Sequence, residues 1–292
     1  MAMLAASLSA ACWGWATVMS KGALEYMPPM TLLAIQLTAS ITVLWFAVLV
    51  LRRRVRLDAP TRRASLSGIL EPGLAYTLGV AGLVLTSASN ASLIATTELF
   101  FIVLLASILL NEPIGTPMFG LMLLASLGIA LVVLPDTMVD GGEGTLLGDL
   151  LIAAATFFAA LYVIATRKLV LTLDPLPLSA LQQSVGLIWA LGVLLIVLVL
   201  GLASVGLREI GPGILVLAAV SGIVQYALAF WLYLFALRHL PANVAGFYLA
   251  LTPVFGIGAA SVFLGEVLTS MQWFGGVLVI VSVAAVSRLH RE

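Results

Sequence analysis

Stretches of about twenty apolar residues, following one another with only short turns between them, constrain this chain more than any other feature. A hydrocarbon core about 30 Å thick takes roughly 20 apolar residues of helix to cross. Read between turn signals, the sequence offers ten such stretches, at about 2–21, 30–51, 67–86, 91–110, 117–135, 146–165, 178–201, 213–236, 242–264 and 271–289. They are about twice the length of a barrel strand and do not alternate, so helices are expected and strands are not. Start signals mark several boundaries: Thr116-Pro117 reads as N-cap and first turn, Pro177 and Pro212 precede helices, and Asp149 sits where a helix N-terminus favours an acid. The third and fourth stretches meet at a short polar hinge, Thr86 to Asn90.

Composition agrees. Of 292 residues, 62% are apolar and 9% charged, where soluble domains carry roughly 25% charged residues. Too few charges exist to cover a water-exposed surface, which excludes a soluble enzyme, a nucleic-acid binder and a disordered chain. Thirteen Lys and Arg balance thirteen Asp and Glu, so placement is what informs. With ten spans and the N-terminus inside, the cytoplasmic segments hold Arg52, Arg53, Arg54, Arg56, Arg62, Arg63, Arg167, Lys168, Arg238, Arg288 and Arg291, against Lys21 and Arg208 outside. Asp136, Asp140 and Glu143 gather on the outer side. Positive charge concentrates on the cytoplasmic side of membrane proteins, so both termini are expected there. The Arg52–Arg63 cluster is a topology signal and a contact for anionic lipid.

One cysteine, Cys12, allows no internal disulfide, and two histidines, His239 and His290, build no metal cluster. Leu8-Ser9-Ala10-Ala11-Cys12 has its leucine one place too far back for a lipoprotein cleavage site. No basic residues precede it, which also argues against a removed signal peptide. The first stretch is expected to stay as a helix.

Self-similarity follows. An offset of 154 residues pairs 98–133 with 252–287 and matches Phe101/Phe255, Ala106/Ala260, Ser107/Ser261, Leu110/Leu264, Glu112/Glu266, Leu124/Leu278 and Ala130/Ala284. An offset of 147 pairs Lys21/Lys168, Pro28/Pro175 and Gln36/Gln183. The expected organisation is one transmembrane domain, 1–292, built of five-helix repeats at 1–138 and 145–292, joined through Gly141-Gly142-Glu143-Gly144. Five is odd, so the second repeat runs through the membrane inverted. Inverted repeats with a binding site near the midplane are the architecture of alternating-access transport.

Trp13-Gly14, the proline-bearing loop after the first helix and Gly265-Glu266 between the last two helices resemble the drug/metabolite transporter superfamily. More narrowly, the chain resembles its ten-helix EamA-like exporters, and within them the bacterial aromatic amino-acid exporters. The resemblance covers the whole chain. It implies a multi-pass protein of the bacterial inner membrane, with a central cavity shared by two halves and export of amino acids or related metabolites. The chain departs from its own repeat at one place: Thr252-Pro253 is matched by Glu98-Leu99, so any role of a proline kink falls to Pro253 alone.

Glu98 is the sharpest candidate for function. An intramembrane charge costs at least about 2.5–3.5 kcal/mol on insertion scales and marks a site by default. It can bind a substrate amine or act in proton coupling, or it can be a hydrogen-bonded acid tying helices together. Gln36, Gln182, Gln183, Gln225 and Asn243 can orient a zwitterion or serve as interhelical glue of about 0.6 kcal/mol apiece. Of these, Gln36, Gln183 and Gln225 are taken as substrate-binding candidates and Asn243 as a cap. Trp273 and Tyr26 read as interfacial. Among deeper aromatics, Trp13, Tyr76, Tyr226 and Tyr248 are the preferred cavity lining, suited to an apolar or aromatic substrate side chain. Pro253, Gly256 and Gly258 are hinge candidates. Glu112 and Glu266, at the wrong helix end for an acid, read as caps or loop latches. Small residues at four-residue spacing (Ala10/Gly14, Ser87/Ala91/Ala95, Gly256/Ala260) read as packing features.

The expected function is therefore an exporter of amino acids, aromatic and other neutral ones favoured, with a proton-coupled organic-cation extruder of the same fold as the alternative. No catalytic cluster or phosphate loop points to an enzyme, and no buried Lys or Arg awaits a phosphorylated cargo. No cofactor, nucleic acid or obligate protein partner is expected, only substrate and lipid.

Overall fold

The computed structural model describes residues 1–55, 57–86, 91, 94–137, 145–201, 210–265 and 267–290. The 86–90 hinge beyond Thr86, the Gly141–Gly144 joint, Asp140, Arg56, Arg208, Arg291 and Glu266 lie outside these residues, as does the side chain of Asp136. Within them every regular element is helical: α1 (Ala2–Leu24), α2 (Pro29–Val50), α3 (Ala59–Ser65), α4 (Ala75–Leu85), α5 (Glu98–Leu110), α6 (Thr116–Thr137), α7 (Leu146–Leu169), α8 (Pro175–Val199), α9 (Pro212–Gly222), α10 (Ala229–His239), α11 (Ala242–Leu249), α12 (Thr252–Leu264) and α13 (Ser270–Leu289). Among the described residues nine helical runs are long and apolar enough to cross a membrane, and Glu98–Leu110 is a shorter apolar helix. In lipid a backbone can satisfy its own polar groups only by closing helical hydrogen bonds. Leu-, Ala- and Val-rich segments of this length therefore become helices whatever their side chains do.

Helix starts follow local chemistry. Thr145 accepts from the Gly148 amide at 3.1 Å, Asp174 from Leu176 at 3.1 Å, and Thr269 with Gln272 forms a reciprocal capping box. The third span begins earlier than its hydropathy predicts. Asp58 accepts from the Thr61 amide at 2.9 Å and Pro60 occupies the first turn, so Arg62 and Arg63 belong to the helix and the span runs Ala59–Leu85.

That span is irregular in its middle. A tight turn, Leu66–Ile69, leads into a widened one, Leu70–Leu74, and Glu71 adopts extended backbone at φ −149°, ψ 126°. The cause is local: Pro72 offers no amide and its ring forces the residue before it out of helical geometry. Ile223–Leu228 forms a second widened turn between α9 and α10. A further break falls at Ala250–Leu251, between α11 and α12.

These irregularities recur at one offset. α4 and α10, like α5 and α12, start and end 154 residues apart, α6 and α13 start 154 apart, and the left-handed caps Asn111 (φ 55°) and Gly265 (φ 69°) are separated by the same number. Glu71 and Gln225, each in a widened turn, are a further pair.

The main core joins α1, α5, α6, α7, α10, α11 and α13 through buried Leu99, Ile102, Tyr162, Phe230, Leu234 and Phe247. Where helices approach most closely, glycine is required. A Cβ on Gly128 would stand 2.8 Å from the Gly275 carbonyl, and one on Gly275 would stand 2.6 Å from that of Gly128, so α6 and α13 meet backbone to backbone.

Candidate functional site

A cavity of about 520 Å³ lies where the irregular segments meet. That volume falls within the roughly 300–1,000 Å³ of small-molecule sites. Helix α1 supplies Trp13, Gly14 and Thr17; the broken third span supplies Glu71 and Tyr76; the start of α5 supplies Glu98 and Leu99. From the other half of the sequence come Tyr162, Gln225 and Tyr233, with Leu249, Thr252, Pro253 and Gly256 around the α11–α12 break.

Its walls are aromatic. Trp13 meets Tyr233 of the lining edge-on at 5.5 Å; behind the lining, Phe230 lies 5.2 Å from Trp13, Tyr226 lies 5.4 Å from Tyr76, and Tyr226 stacks on Phe230 at 5.9 Å. Its polar groups are few. Gln225 accepts from Ser20 at 3.1 Å and donates to the Tyr76 and Tyr226 hydroxyls at 3.5 Å. Tyr162 donates to Gln182 at 3.1 Å, and Gln182 donates to Ser67 at 2.7 Å. Tyr233, 1% exposed, has a hydroxyl with no hydrogen-bond partner among the described residues. Two carboxylates, Glu71 and Glu98, are half-buried in the lining, and no described residue of the lining is basic. Glu71, Glu98, Tyr76 and Tyr233 are near enough to interact electrostatically.

Of the residues singled out from sequence, Trp13, Tyr76, Glu98, Gln225, Pro253 and Gly256 all border this cavity. Four others lie outside the lining, three held by hydrogen bonds and one by packing. Gln36 donates to Ser20 at 2.8 Å and Ser221 at 2.9 Å, joining α2 to α1 and α9. Gln183 accepts from Ser40 and donates to the Tyr226 carbonyl. Tyr226 is buried against Phe230, and the Tyr248 hydroxyl pairs with Ser287 at 2.7 Å. A Cβ on Gly258 would meet no atom of the described residues within 4 Å, and Gly258 is not in the lining.

Glu71 is the residue the sequence reading passed over. It lies four places into a hydropathic stretch expected to start at 67, where a charge near a helix end draws no notice. Two signals were available: Glu71-Pro72-Gly73 must break a helix, and the 154-residue offset that marks Glu98 also pairs Glu71 with Gln225.

At the end of the bundle carrying Arg53, Arg167 and Arg238, Glu112 forms a clasp. Its carboxylate accepts from the Ala242 and Asn243 amides at 2.8 and 2.9 Å, capping α11 from the α5–α6 loop. The Arg167 Nε stands 3.9 Å away, while its Nη1 donates to the Leu237 carbonyl at 2.6 Å. Arg53 pairs with Asp174 at 3.3 Å on the same end. Asn243, expected as a cap, accepts from the Val244 amide at 2.7 Å. No group of three His, Cys, Asp or Glu among the described residues could hold a metal.

Comparison with known proteins is consistent with this arrangement. The sequence model of the EamA-like transporter family matches residues 1–134 and 146–288. An uncharacterized transporter of Methanothermobacter thermautotrophicus is 29% identical over 226 residues, 75% of this chain; the match spans 62% of that protein's length. A solved crystal structure superposes with a TM-score of 0.81 at 18% identity, over 99% of this chain and 98% of that one, which is a likeness of fold.

Proposed function

The chain belongs to the EamA-like transporter family, and from that premise we propose that it carries small, amine-bearing, partly apolar metabolites through the central cavity by alternating access. It is a multi-pass membrane transporter. The reading takes the two halves, 1–138 and 145–292, as inverted five-helix repeats in a ten-span chain with both termini cytoplasmic. The observation that carries it is that the cavity sits where both halves break their helices, around Glu71 and Glu98 in one and Gln225 and Thr252 in the other. Irregular backbone at membrane depth is tolerated where it lines a cavity, and transporter sites are built there. Rocking of one half against the other, with Pro253 and Gly256 at the α11–α12 break as the hinge, would expose the cavity to each side in turn.

For the substrate, the resemblance to aromatic amino-acid exporters points to amino acids, aromatic and neutral ones among them, or related metabolites, exported from the cytoplasm across a bacterial inner membrane. The aromatic walls of Trp13, Tyr76 and Tyr162 suit such side chains. A second reading, an organic-cation extruder with proton coupling through Glu98, is favoured by two carboxylates facing one cavity without a basic residue in the described lining. Reconstituted into liposomes, the protein should take up labelled phenylalanine or phenethylamine saturably, with unlabelled compound competing. Flux only under an imposed pH gradient, lost in Glu98→Gln, selects the coupled extruder. No protein-dependent flux of either compound, with or without the gradient, refutes the reading.

A further inference from the structure

We propose that Glu71, Glu98 and the Tyr233 hydroxyl form one binding site for a primary ammonium group, and that the cavity selects amines without a free carboxylate over zwitterions. The inference rests on the transport reading for its purpose, but not for its chemistry.

Three residues that carry acceptor oxygens border the cavity from three different elements: Glu71 from the break of the third span, Glu98 from the start of α5 and Tyr233 from the middle of α10. A primary ammonium has three N–H donors and no acceptor. Tyr233 is the independent sign that a ligand belongs here. A buried hydroxyl without a partner costs free energy, and native proteins rarely leave one so; Tyr233 is a lining residue, 1% exposed, and its buried hydroxyl has no hydrogen-bond partner among the described residues. An ammonium between it and the two carboxylates would satisfy it.

The charge is one-sided. At the positions 154 residues from Glu71 and Glu98 the second half presents neutral groups, Gln225 and Thr252. Gln225 is already engaged with Ser20, Tyr76 and Tyr226. A zwitterion entering this space brings a carboxylate that finds no cation in the described lining and two anions instead. Like charges sharing a desolvated site repel strongly. An amine brings only the charge that the site lacks. Trp13 and Tyr76, on the same cavity, would hold an apolar or aromatic body.

The test is equilibrium binding of labelled phenethylamine to the purified full chain in detergent, displaced by phenylalaninamide, phenylalanine and the trimethylated phenethylammonium. Amine and amide should displace at concentrations about tenfold or more below phenylalanine, since an unpaired carboxylate in such a site is worth at least that factor. Glu71→Gln and Glu98→Gln should each weaken amine binding about tenfold or more, and Tyr233→Phe about tenfold to a hundredfold, the loss of one charge-assisted hydrogen bond. Where Glu71→Gln does not give a monodisperse protein, Glu71→Asp and Tyr233→Phe carry the test with the same sign. Phenylalanine binding as tightly as its amide overturns the selectivity, and equal binding of the trimethylated compound overturns the ammonium geometry. Amine binding untouched by the acid-site variants overturns the site. Phenylalanine flux in liposomes without amine binding overturns this inference alone; amine binding without any flux overturns the transport reading and leaves the site standing.

Discussion

Gly14 sits where α1 crosses the α11–α12 break, and replacing it with alanine tests whether that crossing is as tight as the geometry requires. A Cβ built on Gly14 would stand 2.6 Å from the Thr252 carbonyl oxygen, 2.7 Å from the Gly256 nitrogen and 2.9 Å from the Phe255 Cβ. Ordinary contacts begin at 3.4 Å, so α1 and α12 must part by most of an ångström, and none of the three atoms belongs to a flexible side-chain end. Overpacking of this kind costs about 2–3 kcal/mol at the upper end of its range. Alanine returns up to about 1 kcal/mol of helix propensity. The net loss of about 1–2 kcal/mol shifts the folded-to-unfolded ratio about 5- to 30-fold. Gly120→Ala, on α6 with no atom of the described residues within 4 Å of its Cβ, supplies the control and should be neutral or stabilising. Thermal unfolding of the two variants in the same detergent, with flux in liposomes alongside, reads the difference. Gly14→Ala as stable as Gly120→Ala would show that α1 does not seat against α12 in this way, and the cavity wall built from that contact would fall with it.

Glu112→Gln should destabilise the protein by about 2–5 kcal/mol, because two charge-assisted amide bonds to α11 are each worth about 1.5–3 kcal/mol and the neutral amide recovers part of one. The Arg167 contact, at 3.9 Å and partly exposed, adds little. Thermal unfolding reads this, and an unchanged midpoint refutes the clasp. Gln36→Leu removes the interhelical bonds to Ser20 and Ser221, about 0.6 kcal/mol each, and should lower stability by about 1 kcal/mol with the substrate KM unchanged. A large KM change with unaltered stability would return Gln36 to the binding site. Pro253→Ala should leave stability nearly unchanged, since proline is tolerated in a helix's first turn, while slowing flux if the break it marks is the hinge; unchanged flux removes it from that role.

Nine apolar helical runs among the described residues were legible in the sequence, because hydropathy and backbone satisfaction in lipid leave little choice. Glu98 was legible for the same reason: an acid in mid-span has to be accounted for. The amides were not, since Gln36 and Gln183 are spent on Ser20, Ser221, Ser40 and the Tyr226 carbonyl, partners far away in sequence. Tyr248 illustrates the same limit, its depth in the span saying nothing of the Ser287 hydroxyl that takes it. Glu71 was hidden by a boundary error. Asp58 and Pro60 start the third span eight residues before 67, the place hydropathy gives, and what looked like a helix end is the middle of a crossing.

The central claim is that one cavity between the halves faces each side of the membrane in turn. In a Cys12→Ser background, a single cysteine at Leu249, on the cavity wall, can be labelled in liposomes or cells with a membrane-impermeant thiol reagent applied to one face at a time. Labelling from both faces, with the ratio shifted by saturating transported substrate, is the result expected. Labelling from one face only, unmoved by substrate while flux continues, would contradict it.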